Sequence, residues 1–250
     1  MVNYQRTMIA LAGLMLPLAA GIQVNASIVG CKPTNANRPV CPGTAAPETA
    51  TFIDPTVRIT APGKITLAEK VYVGPFAQLL AGDDGGITID KESNVQDNVT
   101  IYGGFERNDA AEARVEALGL DEEEGVEIAE RVILAHGATV KGPAMIGVGG
   151  GNIAVDPDAD QEVFLSFGSE VDGAILEKNT GVSALGRVGP GVRLRSGFIV
   201  LPGKNVTTQA QADDPSLGKV RLLTEADIAF SEGVIAVGSL ILRGQEELMP

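Results

Sequence analysis

Branched apolar residues recur every six positions through most of this 250-residue chain. Val182, Val188, Leu194, Val200 and Val206 keep the interval strictly, as do Ile59, Ile65 and Val71 with Leu67, Val73 and Leu79 beside them. Ile89, Val95 and Ile101 resume it, followed by Ile128, Leu134, Val140 and Ile146. A helix repeats at 3.6 residues and a simple strand at 2, so neither accounts for six. A coil of short strands and turns does, because each side of the coil points one apolar residue inward and stacks it on the next coil. The pattern predicts an all-β solenoid, a parallel β-helix, and disfavours a β-sandwich.

Two stretches interrupt the beat. Residues 105–130 hold ten carboxylates against Arg107 and Arg114, and read as an acidic insertion thrown out from one corner. Within it Asn108 is placed to cap a short helix ending near Gly119, with Val115 and Leu118 on its inner side. Residues 149–160 are rich in Gly and Asp. Asp156, Asp158 and Asp160 alternate as in a calcium loop but lack its Gly and terminal Glu, so a solvated turn is expected. Beyond the last coil, Thr224 and Asp227 form a capping-box pattern opening a helix over 223–250. Ile228, Val234, Ile235, Ile241 and Leu242 give that helix an apolar face to lay along the coils.

Composition sharpens the picture in three places. With 31 glycines, no tryptophan and 4% aromatic residues, the chain suits tight turns and β-branched fillers. A net charge of −13 argues against nucleic acid and against an anionic membrane surface. Residues 1–26 look like an export signal: Arg6 precedes an apolar run from Met8 to Ile22, and Val24-Asn25-Ala26 predicts cleavage before Ser27. A lipoprotein-like box ending at Cys31 and a retained anchor are alternatives. An exported chain, periplasmic, extracellular or at the cell surface, makes a Cys31–Cys41 disulfide the expected staple of an N-terminal extension over 27–51. The coil then occupies 52–222.

The stretches Asn94-Val95-Gln96-Asp97-Asn98-Val99 and Leu134-Ala135-His136-Gly137-Ala138-Thr139-Val140-Lys141-Gly142-Pro143-Ala144 resemble the γ-class carbonic anhydrases. So do Thr207 to Asp213 and the C-terminal helix, and the likeness runs from about Phe52 to Arg243. It implies a left-handed coil with the C-terminal helix packed along it, and a homotrimer with sites at subunit interfaces. There three histidines hold zinc or iron, and a metal-bound hydroxide attacks carbon dioxide. His136, the sole histidine, stands at one ligand position; Lys141 and Tyr102 stand at the other two. Leu80, Gly82, Glu232 and Val234 replace further polar groups of the family, whereas Gln96 and Asp97 remain and Glu106 lies one residue from the family's loop glutamate.

The ligand count predicts a degenerate metal site, no cofactor, and a structural or binding subunit. The alternative is an active anhydrase with an altered site and zinc or iron. Lys141 needs a counter-charge in either case. One possibility is a small anion that Tyr102 and His136 help to hold; the other is a carboxylate such as Asp97. A larger protein assembly is a further candidate partner. A hexapeptide acyltransferase would also rely on His136, but nothing recognisable binds a thioester.

Overall fold

The computed structural model describes residues 39–41, 51–83, 85–121, 124–150 and 162–246, with residues 39–41 and 239–246 given by their backbone alone. Strands of two or three residues stack into three sheets, of nine, seven and six strands, that form the sides of a prism. The stacking is parallel apart from one antiparallel strand at each end of the nine-stranded sheet. This is the left-handed parallel β-helix, with a helix laid along it.

The six-residue beat is the register of the stack. Leu79, Ile101, Val140, Val171, Val188 and Val206 are successive partners across the seven-stranded sheet. Val95, Leu134, Leu165, Val182 and Val200 form an equivalent column in the nine-stranded sheet. Both columns lie in one continuous buried core. Of the residues that carry the beat, Ile59 alone is half-buried rather than buried.

Corners are turned by a residue with positive φ. At the corner leading into the seven-stranded sheet these are Phe76, Asn98, Gly137, Gly168, Leu185 and Gly203. A side chain in that conformation costs about 1 kcal/mol relative to glycine, so Phe76 and Leu185 are held there by the coils around them.

The acidic insertion is shorter than its composition suggests. It leaves after Tyr102 and ends at Gly125, because Val126–Ile128 is a full strand of the six-stranded sheet with Val126 and Ile128 facing the core. The first helix, α1 (Asp109–Glu116), has Asn108 as its cap: the side chain accepts from the Ala111 N–H at 3.0 Å. Val115 and Leu120 dock on Ile175 outside the main core, with Leu118 packed alongside. At the far end the coils stop at Val206, sooner than residue 222. A second helix, α2 (Gln209–Asp213), covers them with Ala212, and Val220–Leu222 returns antiparallel to Phe198–Val200.

The third helix, α3 (Glu225–Glu246), opens with the expected capping box. The Asp227 carboxylate accepts from the Thr224 N–H at 2.8 Å, and the Thr224 hydroxyl accepts from the Asp227 N–H at 3.3 Å. Arg221 clamps both Asp227 oxygens at 2.7 and 2.9 Å. Ile228 packs on Ile199 and Leu223, Ile235 is buried and Val234 half-buried. The side chains of Ile241 and Leu242 lie outside the description, as do the leader, Cys31 with its pairing to Cys41, and Asp156 to Asp160. Among the described residues no helix is long and apolar enough to cross a membrane.

The Arg221 hydrogen bonds, with those from Thr224, hold the Asp227 carboxyl well below the usual carboxylate range. A depressed folded-state pKa stabilises the fold above the unfolded value of about 4, and that contribution is lost as pH falls through the folded value. Asp227→Asn is therefore expected to lower stability at pH 7 by about 1 kcal/mol. Its deficit against the parent should shrink below pH 4, read as converging melting temperatures. A deficit constant from pH 7 to pH 2 would contradict this assignment.

Candidate functional site

The seven-stranded sheet turns alternate residues outward, and Leu80, Tyr102, Lys141 and Asp172 are successive outward partners on it. Neighbouring strands lie about 4.8 Å apart, so Tyr102 and Lys141 stand side by side. Both close their strands at one corner, and each is followed by a glycine, Gly103 and Gly142. A Cβ on Gly142 would overlap the Gly103 carbonyl oxygen and come within 2.8 Å of the Gly125 carbonyl oxygen. Only glycine lets the backbones close up at this corner.

Lys141 already has its counter-charge. Its ammonium donates to Glu170 Oε1 at 2.5 Å, and Arg187 approaches the other oxygen at 3.5 Å. Within the chain the partner is Glu170 rather than Asp97. The reason is register: Glu170 opposes Thr139 on the next coil, diagonal to Lys141 and on the same outward face. Phe105, the first residue of the predicted insertion, lies over the ammonium with its ring centre 4.6 Å away and its ring tilted against Tyr102 at 5.8 Å. A cation on a ring face is attracted by the ring quadrupole.

Arg107 fixes this cover. Its Nε and Nη2 donate to one Asp172 oxygen at 2.8 and 2.6 Å, Nη2 also to the Lys141 carbonyl, and Nη1 to the Phe105 carbonyl. The Arg107 side chain is 3% exposed. Glu106, between Phe105 and Arg107, points into solvent.

His136 is elsewhere. It sits on the corner before the Thr139–Lys141 strand, whereas Lys141 closes that strand at its other end. Its side chain is 52% exposed, stacks on Phe167 at 5.6 Å, and places Nδ1 3.8 Å from Asp97 Oδ2. Asp97 turns back over Gly74 and faces Tyr72; burial first, then Asp97 and Asp54, push the Tyr72 phenol up to about 12. Gln96 is half-buried beside it on the same corner.

The structure therefore makes two clusters, Tyr102–Lys141–Glu170–Phe105 and Gln96–Asp97–His136–Phe167. Neither fits zinc or iron. An ammonium has no lone pair to donate and repels a cation, and zinc in a catalytic site takes three protein ligands. The described residues contain no group of three or more His, Cys, Asp or Glu able to hold a metal ion. Sequence reasoning named Tyr102, Lys141, Gln96, Asp97, Glu106 and His136. It missed Glu170, Arg187, Phe105, Arg107 and Phe167, and the break in the beat after Gly149 hides the offset that sets Glu170 opposite Thr139.

No family profile matches the sequence. The chain is 29% identical over 220 residues to a carbonic anhydrase of Methanosarcina thermophila, covering 84% of this chain and 80% of that protein. Among solved structures, a hexapeptide transferase family protein from Anaplasma phagocytophilum shares 17% identity, covering 78% of this chain and 93% of that one with a TM-score of 0.44. An N-acyltransferase from Bacillus cereus shares 14%, covering 75% and 88%, with a TM-score of 0.39. The match to the carbonic anhydrase spans far more than the short motifs, and the chain resembles the γ-class carbonic anhydrases along the coil.

Proposed function

We propose that this γ-carbonic-anhydrase-like β-helix is a trimeric structural or binding subunit that has lost its metal centre. One observation carries the reading. At a ligand position of the family stands an ammonium held 2.5 Å from Glu170 and covered by Phe105. A built-in ion pair at that position leaves no donor for a metal and no bare cation for an anion. The stacked pair His136–Phe167, both about half exposed on a corner, suits contact with a neighbouring subunit better than coordination.

Metal analysis of the purified protein, with a carbon dioxide hydration assay on the same sample, tests the reading. Substoichiometric metal and background activity support it; one metal per subunit with hydration dependent on His136 overturns it. The apolar leader makes an exported subunit part of the same proposal. Its intact mass should correspond to a chain beginning at Ser27, and a lipid adduct on Cys31 would contradict that start.

A further inference from the structure

The first turns of α3 touch the nine-stranded sheet at two places and bridge a gap between them. One support is Phe230, whose ring meets Phe164 edge-on with centroids 5.2 Å apart and planes at 86°. The other is Ile228, packed on Ile199 and Leu223. Phe164, Gly181 and Ile199 are successive outward partners on the sheet. The supports therefore stand two strand spacings apart, roughly 9.6 Å, with a glycine between them. The gap is a cavity of about 350 Å³ between helix and sheet.

Gly181 has no positive φ that would call for glycine, so what it contributes is the missing side chain. A glycine inside a strand often marks a place that a ligand approaches closely. The volume falls in the range of small-molecule sites, which are mainly apolar with a few placed polar groups. Here the apolar walls are Phe164, Ile199, Leu223, Ile228 and Phe230. Ser166 and Ser183 line the cavity where the strands end, each following one member of the opposed pair Leu165 and Val182. Among the described residues neither hydroxyl has a hydrogen-bond partner.

We propose that this cavity binds an uncharged, mainly apolar small molecule whose hydrogen-bonding group meets Ser166 and Ser183. The charged groups around the cavity select a neutral ligand. Glu162 and Asp227 line it, and each already holds an arginine, Arg131 and Arg221. Those two guanidiniums stand outside the lining. An anion entering the cavity meets carboxylates. A cation sheds its hydration among phenyl and branched aliphatic walls, where both carboxylates are engaged. A neutral apolar molecule instead fills a gap whose walls otherwise lack contact partners. Neither Lys141 nor His136 takes part, so occupancy is independent of the metal question.

Fluorescence titration of the purified chain with N-phenyl-1-naphthylamine, a neutral probe with a single N–H donor, tests the proposal. Binding is expected to saturate at one probe per chain. The anionic 8-anilino-1-naphthalenesulfonate, the same rings with a sulfonate, should bind at least about tenfold more weakly. Ala226→Phe plugs the cavity from an exposed helix position, and Gly181→Leu plugs it from the sheet. Leucine at 181 must displace the Ile199 side chain, which lies 3.0 Å from the Cβ position, whereas the helix variant makes no such demand. Each should weaken the neutral probe at least about tenfold with unchanged circular dichroism. Ser166→Ala with Ser183→Ala should weaken it about fivefold. No saturable binding by the parent, or parental affinity in Ala226→Phe, would overturn the site. Equal affinity for the sulfonated probe would overturn the neutral ligand class.

Discussion

Purified protein is expected to carry far less than one zinc or iron per subunit and to hydrate carbon dioxide no faster than background. Each chain supplies one imidazole, and a symmetric trimer supplies one to each interface. Lys141 offers a positive charge that Glu170 already satisfies, and a phenol oxygen such as that of Tyr102 is a poor ligand while it keeps its proton. Tyr102→His together with Lys141→His removes the charge and adds two nitrogen donors on adjacent strands whose backbones are held by the stack. Metal affinity should rise by at least about 100-fold, read by competition with a chromogenic chelator. Glu170, freed of Lys141, keeps Arg187 and so need not unfold the corner. Hydration should return only in part, because Leu80, the outward partner of Tyr102 on the neighbouring strand, still lacks a polar group beside the site. Stoichiometric metal in the unmodified protein, with hydration lost in His136→Ala, would sink the degenerate-site reading.

The coil was legible because its period is physical. Only an inward residue at Val182, Val188, Leu194 and Val200 satisfies a three-sided stack, and those positions are buried as the beat requires. The helix starts were legible for a local reason: Asn108 and Thr224 cap donors within three residues of themselves.

The site was legible only in part, since its decisive contacts join distant segments. Lys141 and Glu170 are 29 residues apart, and the break after Gly149 hides how many residues separate one coil from the next. Without that offset the sequence assigns no carboxylate to Lys141, and Asp97 stands out only because it lies within a motif. Phe105 and Arg107 belong to an aperiodic insertion, so no period places them over the strand end. The insertion ends sooner than its composition predicts, because the acidic run continues into Glu127 while Val126 and Ile128 have already rejoined the core.

Gly142→Ala is expected to be among the most damaging single methyls in the described structure. The new Cβ would overlap the Gly103 carbonyl oxygen and crowd the Gly125 carbonyl, both backbone atoms with no rotamer to escape into. Gly103 has no room to yield on its own side, where even a methyl would overlap the Gly85 carbonyl oxygen and come within 2.9 Å of that of Gly86, so a shift passes to the next coil. Overpacking of a rigid interior costs 1–3 kcal/mol in ordinary cases. Here two layers of backbone must move and the Lys141 and Tyr102 strands move with them, so a loss of at least about 3 kcal/mol is expected. Gly63→Ala provides the contrast. No heavy atom lies within 4 Å of its Cβ position and its φ is not positive, so alanine should be neutral or stabilise by about 0.5 kcal/mol. Urea midpoints of the two variants decide the matter. If Gly142→Ala unfolds at the parental midpoint, the close backbone stacking at this corner is not what holds Tyr102 and Lys141 together.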